Sequence, residues 1–489
     1  MNSSAGFVGR AQQLDRLSSQ LELVEAGGAD QRGRCVLLRG RRRVGKSTLV
    51  EVFCGQSNLP VFWFSCTQGE APLQERAQFA SELSVSSLVN AAVVGDDVPG
   101  SWHVAFRRLA DALSDDQPSI VVIDEIPWLT QQDPAAEGAL QTVWDRYLSR
   151  KPVLLILVGS DLEMMEHLSS YGRPFHQRAV EMVLDPLDPA DVADMLHLSA
   201  ADAFDAYVIT GGLPLVCQEW PKKMVWRRYL KEAFADPTSA LIVSGERIMA
   251  AEFPSASRAR DVLEVIGDGE RTFSRIAGRL GGVQPLAPGT LNGALTTLLD
   301  KRVIAVGEPL SLRPAPKERR YRVDDPFLRF WLRFVAPALP AIERGRGDLA
   351  LRAVEDGWMA WRGRAIEPIV RHALGQLLPN DNFPNAGVVG GWWNRQNNPE
   401  VDLVAVDNAV HPQALAFVGA IKWRDKAPFD RSDLADLARV ASFVPGADSR
   451  TPLVAVSRSG FAVTDLAATF TPETLLTARR RPPLGAALL

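Results

Sequence analysis

The sequence predicts an α/β protein in which a parallel-sheet unit is followed by helical segments and then by a second mixed α/β unit. Three observations carry this. Short apolar runs, CVLLRG (35–40), VFWFSC (61–66), SIVVIDE (119–125) and VLLILVGS (153–160), alternate with helical periodicity, the pattern of buried parallel strands joined by crossover helices. The strand signals stop near residue 185 and helical patterns take over. Strand-like runs return after about residue 350, in VVGGWW, VDLVAV, ALAFVGAIKW and PLVAVS. A length of 489 residues suits about three domains of ~150 residues.

In order along the chain, residues 10–26 place Leu14, Leu17, Leu21 and Val24 three and four apart, an amphipathic helix. AGGADQRGR breaks it. Helices at 101–114 and 136–149 separate the strands of a core spanning 1–185. Segments 189–200, 202–210, 225–235 and 238–251 read as helices over 186–255. Over 256–337, helix 259–266, FSRIAGRLG and TLNGALTTLLDKRVI precede two β-like pieces, VIAVGE and RRYRVDD. Three helices and a two-stranded wing predict a winged helix-turn-helix, with PAPK (314–317) as the wing tip. ALPAIERGRGD (338–348) reads as a linker. Helices 351–375 and 432–442 join the late strands in a unit over 350–489.

Apolar residues make up 46% and charged residues 23%, which excludes a disordered, collagen-like or coiled-coil chain. The net charge of −4 excludes a polycation, so any nucleic-acid surface is a local patch. Cys35, Cys54, Cys66 and Cys217 form no CxxC pair, which argues against zinc and a disulfide framework and for thiols in a reducing compartment. No basic stretch precedes an apolar run at the N-terminus, and no run of about 18 apolar residues exists. The expectation is a cytoplasmic protein with no membrane partner.

Gly40-Arg-Arg-Arg-Val-Gly45-Lys46-Ser47 fits GxxxxGK[ST], follows an expected strand and opens an expected helix. Glycines let backbone N–H groups turn inward around phosphate oxygens, and the helix N-terminus adds positive field. ATP and Mg²⁺ are therefore the expected cofactors. The loop from Gly40 through Arg43, Val44, Gly45, Lys46, Ser47 and Thr48 would hold the nucleotide. Lys46 would reach the β- and γ-phosphates and Ser47 would hold Mg²⁺. Asp124 ends an apolar strand and would bind Mg²⁺ through its outer shell; Glu125 would position or deprotonate the attacking water. Ser160, ending the next strand, would sense the γ-phosphate. The competing reading is an ordinary glycine turn with an unrelated acidic strand end. The three loop arginines either form a solvated basic face or add field at the phosphates.

Phe7-Val8-Gly9-Arg10, GRRRVGKS, the IDE strand end and Ile209-Thr-Gly-Gly-Leu-Pro214 together resemble the archaeal-type STAND P-loop ATPases, relatives of origin-recognition AAA+ proteins. The resemblance implies a P-loop NTPase sheet, a helical lid and a winged helix. It implies an adenine pocket lined by Val8, Gly9 and Arg10, and a lid turn at Gly212 and Pro214. The acidic residue usual after this motif is Ala11 here. It also makes Arg173 and Arg178 arginine-finger candidates, acting in cis or from a neighbouring subunit, with surface salt bridges as the alternative. Tyr321–Phe334 is similar to the family's signature after the winged helix, and its aromatics read as core.

From Arg258 to Arg333 there are 14 Lys and Arg against 9 Asp and Glu. The basic residues gather in the wing (Arg313, Lys317, Arg319, Arg320, Arg322), which suits phosphate contacts. The expected recognition helix offers only Thr290, Asn292, Thr296 and Thr297, weak for base readout. The alternative is a winged helix that packs on the ATPase and relays nucleotide state. The last third resembles PD-(D/E)xK restriction-endonuclease-like domains through Glu367, Pro399-Glu400-Val401-Asp402 and Lys422. The resemblance implies a Mg²⁺ site at Asp402 and Glu400 with Glu367, and a lysine acting on water. Position 420, an acid in active domains of this kind, is Ala420. Trp392, Trp393 and Trp423 read as buried, with base stacking as the alternative. Three functions follow. The first is a switch ATPase coupling nucleotide state to a DNA-associated C-terminal module, degenerate as a nuclease. The second is an ATP-gated, Mg-dependent nuclease. The third is a signalling scaffold with protein partners. DNA, a protein or an oligomeric partner all stay open.

Overall fold

The computed structural model describes residues 7–27, 33–160, 162–169, 178–252, 258–267, 269–280, 287–313, 318–396 and 398–480. The chain divides into two compact units, Met1–Pro186 and Leu187–Leu489.

The first unit is a five-stranded, all-parallel sheet of β1 (Arg34–Arg39), β2 (Val61–Ser65), β3 (Ser119–Asp124), β4 (Val153–Gly159) and β5 (Ala179–Val183), in the order β2-β3-β4-β1-β5. Alternate strand residues face two separate cores, which explains the unbroken apolar runs. Val36, Leu38, Ile120, Val122, Leu154, Ile156 and Val158 pack with α1 (Ala11–Ala26) and α2 (Lys46–Ser57). Leu37, Phe62, Phe64, Val121, Ile123, Leu155 and Leu157 pack on the other face with α3 (Pro72–Ser84), α4 (Trp102–Ala112), α5 (Ile126–Gln132) and α6 (Ala135–Arg146). There Phe79, Trp102 and Phe106 interlock edge-on and stacked, with centroids 5.3 to 5.7 Å apart. Helix α7 (Leu162–Ser169) follows β4.

The second unit opens with five helices: α8 (Pro189–Leu196), α9 (Ala200–Thr210), α10 (Pro214–Gln218), α11 (Trp226–Ala235) and α12 (Ala240–Glu252). An Asp188/Asp191 capping box starts α8. Between α9 and α10, Gly212 has φ 68° and a Cβ there would lie 1.9 Å from the Leu187 carbonyl oxygen, so only glycine fits. Next come α13 (Arg258–Ile266), α14 (Phe273–Leu280), α15 (Pro288–Asp300) and an antiparallel pair, β6 (Ile304–Gly307) and β7 (Arg320–Val323). The expected wing tip, 314–317, lies outside the described residues.

After α16 (Pro326–Phe330), the segment expected to be a linker is instead structured and packed. It contains α17 (Leu339–Ile342) and the first two residues of the 31-residue α18 (Gly347–Leu377). Ile342 is buried, and a Cβ on Gly347 would meet the Phe234 carbonyl at 2.0 Å. The signature aromatics Phe327, Phe330, Trp331 and Phe334 are buried.

The C-terminal sheet runs β12-β11-β10-β9-β8, from β8 (Val388–Trp393), β9 (Glu400–Val406), β10 (Leu415–Lys422), β11 (Leu453–Ser457) and β12 (Ala468–Phe470). Pairings β8–β9 and β9–β10 are antiparallel; β10–β11 and β11–β12 are parallel. Helix α18 contributes to the core on one face; α19 (Arg431–Ala441) packs on the other. The short α20 (Pro472–Leu476) follows β12.

A buried charge network ties α9, α18 and the sheet together. Arg362, fully buried, donates to Asp205 Oδ2 (2.8 Å), Asp425 Oδ1 (2.8 Å) and the Trp423 carbonyl (3.1 Å). Trp423 Nε1 donates to Asp205 Oδ1 at 3.1 Å, and Arg458 reaches both Asp202 and Asp205. Removing Arg362 strands the buried Asp205 carboxylate with fewer partners in a dry interior. Arg362→Ala is expected to destabilise the second unit by about 3–5 kcal/mol. Denaturant unfolding of the full chain would read this as early loss of the second unit's transition.

Candidate functional site

All five strands of the first sheet point the same way, so their C-terminal ends share one edge, where ligands of open α/β sheets bind. Strand β1 ends there in the phosphate-loop sequence. A Cβ on Gly40 would lie 2.3 Å from the Leu184 carbonyl and 3.2 Å from Val44, so this turn admits glycine alone. Arg43 (φ 70°) and Gly45 (φ 88°) turn the backbone into the left-handed region, and α2 begins at Lys46. Lys46 is buried and its Nζ donates to the Gly40 carbonyl (2.9 Å) and the Arg41 carbonyl (3.0 Å), folding over the loop. Burial lowers its proton affinity, while Glu125 and Asp124 raise it. Arg42 lies 5.5 Å from the Trp128 ring centroid, so one loop arginine is held against the protein.

The strand order places β4 between β1 and β3. Ser160, at the end of β4, is thereby set between the loop and the β3 terminus. Ser47 Oγ donates to Asp124 Oδ2 at 2.8 Å, and the Glu125 N–H donates to Asp124 Oδ1 at 2.9 Å. Asp124 is buried, which pushes its carboxyl above the ordinary range against the pull of the Ser47 hydrogen bond. Glu125 sits at φ 53°, an unusual conformation for a side-chain-bearing residue. Its Oε2 accepts from Ser160 Oγ (2.8 Å) and Ser160 N (3.2 Å). The structure therefore joins Ser47, Asp124, Glu125 and Ser160 in one hydrogen-bonded chain beside Lys46.

Other expected residues fall as follows. Val8 and Gly9 are half-buried, and the buried Arg10 donates to the Val44 carbonyl at 3.0 Å, tying the segment before α1 to the phosphate loop. Thr48 is exposed on the first turn of α2. Gly212 and Pro214 lie in the second unit, where Pro214 starts α10. Arg173 lies outside the described residues. Arg178 is engaged by Asp145, with bonds of 2.8 and 3.0 Å, the salt-bridge alternative for that residue. Sequence reasoning missed Glu75 and Cys66, at the end of β2. Glu75 is buried on α3 and accepts the Thr67 N–H at 3.1 Å. Burial raises the Cys66 thiol well above its ordinary value, with Glu75, Asp124 and Glu125 adding to it.

The acidic residues expected in the C-terminal unit are brought together, but not as a metal site. Pairing of β9 with β10 ends at Leu403–Gly419, and Asp402 Oδ2 accepts the Ile421 N–H at 2.9 Å. Glu367 on α18 is bonded to Arg371 at 2.9 Å, and Arg371 Nε donates to the Asp402 carbonyl at 2.8 Å. Glu400 accepts from Arg320 at 2.8 Å. Lys422 lies 3.5 Å from Asp433, which Arg424 also holds by two bonds of 2.7 and 2.9 Å. Among the described residues no group of three or more His, Cys, Asp and Glu is placed to hold a metal ion. Asp402, Glu400 and Glu367 thus do not fit the Mg²⁺ expected there, because guanidinium groups already engage Glu367 and Glu400. The missed residue is Arg371, legible in principle as the i+4 neighbour of Glu367. Trp392, Trp393 and Trp423 are buried, as core residues. Trp423 meets Phe204 edge-on at 5.4 Å.

Residues 6–156 match the family model described as the AAA ATPase domain. The first unit carries an AAA ATPase domain. This makes the chain an ATPase. Residues 331–433 match a second family, described as archaeal and bacterial proteins of unknown function, and this stretch holds Arg362, Glu367, Arg371, Asp402 and Lys422. An uncharacterized protein of Methanocaldococcus jannaschii is 24% identical over 423 residues, covering 86% of this chain and 88% of its own length. Among solved structures, a Walker-type ATPase of Pyrococcus abyssi is similar at 20% identity and a TM-score of 0.48, over 67% of this chain and 96% of that one. The ORC2 protein of Aeropyrum pernix, in ADPNP-ADP complexes, is similar at 13% identity and a TM-score of 0.46, over 71% of this chain and 95% of that one. No helix among the described residues is long and apolar enough to cross a membrane.

Burial in the C-terminal cluster makes a pH prediction. Glu367 is pushed from 4.5 up to about 8 by burial, with Asp402, Glu270 and Glu400 adding to the shift and Arg371 opposing it. Its folded value lies above its unfolded one. The stability it contributes is full below about 4.5 and is lost as pH rises toward 8. The difference in unfolding free energy between the wild type and Glu367→Gln should therefore shift against the wild type between pH 5 and 8, by up to ~1.4 kcal/mol per pH unit. Urea unfolding at fixed pH values measures it; a pH-independent difference contradicts it.

Proposed function

We propose that the chain is a nucleotide-driven switch: the first unit binds ATP with Mg²⁺ and hydrolyses it slowly, and the second unit carries the output to DNA. The observation that carries the reading is the hydrogen-bonded chain Ser47–Asp124–Glu125–Ser160 beside Lys46. The residues fit a magnesium nucleotide. Ser47 Oγ and Asp124 are already paired, a hydroxyl and a carboxylate of the hard-oxygen type Mg²⁺ prefers when phosphates supply further ligands. When bound, the metal would neutralise charge on the transferring phosphoryl group. The remaining work falls to the chain. Lys46 supplies a positive charge to the β- and γ-phosphates. Glu125 orients the attacking water and receives its proton. Ser160 fixes Glu125 through its hydroxyl and backbone N–H. Val8, Gly9 and Arg10 would border the base.

The second unit supports a DNA role through the winged-helix reading of α13–β7, with one change. Most wing arginines are engaged: Arg319 with Glu308, Arg320 with Glu270 and Glu400, Arg322 with Asp324. The DNA face of this reading is instead the exposed side of α15, Thr290, Asn292, Thr296 and Thr297. These small polar groups suit phosphate contact better than base readout. The closed carboxylates of the C-terminal sheet favour a binding module over a nuclease.

Three variants test the ATP side. Lys46→Ala should abolish nucleotide binding in calorimetry, and unchanged affinity would remove the phosphate-loop assignment. Glu125→Gln should keep ATP affinity and lose ~100-fold or more in turnover. Ser160→Ala should lower kcat about tenfold while leaving ATP affinity within about twofold, since its bond acts on a group that moves a proton. Normal turnover in either variant would take that residue out of the mechanism. For DNA, anisotropy titration should show binding that weakens with salt and is lost in Asn292→Glu/Thr296→Glu. Salt-independent binding, or binding untouched by those changes, would contradict the α15 face.

A further inference from the structure

We infer that the acidic cluster of the C-terminal sheet is an internal clasp: two guanidinium groups hold the place of a divalent cation, and one of them, Arg320, is delivered by the β6–β7 hairpin and fastens it to the sheet. The inference does not rest on the ATPase reading.

Arg320 bonds both Glu270 and Glu400, and Arg371 bonds Glu367 and the Asp402 carbonyl; Asp402, Glu270 and Glu400 each raise the proton affinity of Glu367. Carboxylates brought this close are tolerated when some keep their protons or when cations sit between them. Here the cations are side chains. Arg371 bonds Glu367 and lowers the proton affinity of Asp402 and Glu270 as well. Arg320 is only 7% exposed and spans two elements, reaching Glu270 Oε2 at 3.1 Å and Glu400 Oε1 at 2.8 Å from one nitrogen. Its guanidinium carbon lies 4.0 Å from the Trp393 ring centroid, a cation–π contact in a largely dry setting. A divalent cation needs several carboxylate oxygens free to turn toward it. Glu367 Oε2, Glu400 Oε1 and Asp402 Oδ2 are each committed, to Arg371, Arg320 and the Ile421 N–H.

The hairpin is held by more than Arg320. The Leu310 N–H donates to the Gly391 carbonyl at 2.8 Å, and the Leu312 N–H to the Pro445 carbonyl at 3.3 Å. The Trp393 indole N–H donates to the Glu318 carbonyl at 2.9 Å. Gly390 and Gly446 leave room for the side chains: a Cβ on either would lie 3.1 and 2.5 Å from Leu310 and Leu312. Two backbone donors of the segment between β6 and β7, Leu310 and Leu312, therefore reach β8 and the loop after α19, and the clasp sits where β7 begins. This accounts for a basic hairpin with few unengaged arginines, and for acidic residues in a metal-like pattern without a metal-binding group.

The test uses the full chain without nucleotide. Mn²⁺ titration by calorimetry is compared with Asp402→Asn, and hydrogen exchange of 308–323 is compared with Arg320→Ala. The clasp predicts no Mn²⁺ binding that depends on Asp402. It also predicts exchange at Leu310 and Leu312 at least ~10-fold faster in Arg320→Ala, the scale of losing hydrogen bonds to charged groups. Mn²⁺ binding that Asp402→Asn removes would overturn the inference. Unchanged exchange at Leu310 and Leu312 in Arg320→Ala would overturn it equally. If Arg320→Ala does not fold, Glu270→Gln/Glu400→Gln keeps the guanidinium, removes both partners, and must show the same acceleration.

Discussion

The candidate site of the first unit depends on a parallel strand order that lets Ser47 Oγ reach Asp124 Oδ2. This hydrogen bond joins the helix that opens after the phosphate loop to the end of a strand two positions away in the sheet. It can form only because β4 lies between β1 and β3 and all three strands run the same way. The interposed strand then brings Ser160 to Glu125. Topology, more than any single side chain, makes one site from residues far apart in sequence.

The second unit solves the opposite problem, of keeping like charges close. It does so with arginine. Arg362 holds the buried Asp205 and reaches out to the exposed Asp425; Arg371 and Arg320 hold the carboxylates at the sheet end. Guanidinium suits this because it stays charged and binds through a planar fork of donors. The inferred clasp would close from within a sequence pattern that resembles a metal-dependent nuclease.

What was legible in the sequence was local. The phosphate loop, its strand and its helix lie within a dozen residues, and a buried parallel strand announces itself by an unbroken apolar run. The strand ending in Asp124 and the one before Ser160 were read this way. The β5 strand was not, because as a sheet edge it buries only Met182 fully. Residues 338–348 misled through Gly, Pro and charge, since nothing in that stretch shows that Gly347 will press against Phe234. Arg320 misled in the same way. As one of several basic residues it reads as a solvent-facing wing, yet its partners lie 50 and 80 residues away. Arg371 was within reach of sequence reasoning, one helical turn from Glu367.

The central claim is that the nucleotide bound by the first unit sets the state of the second. Hydrogen exchange of the full chain with ADP and with a non-hydrolysable ATP analogue tests this most directly. The account predicts protection of residues 40–48 with both nucleotides, and exchange in α9, α10 or α15 that differs between them. Protection confined to the first unit and identical for the two nucleotides would contradict it.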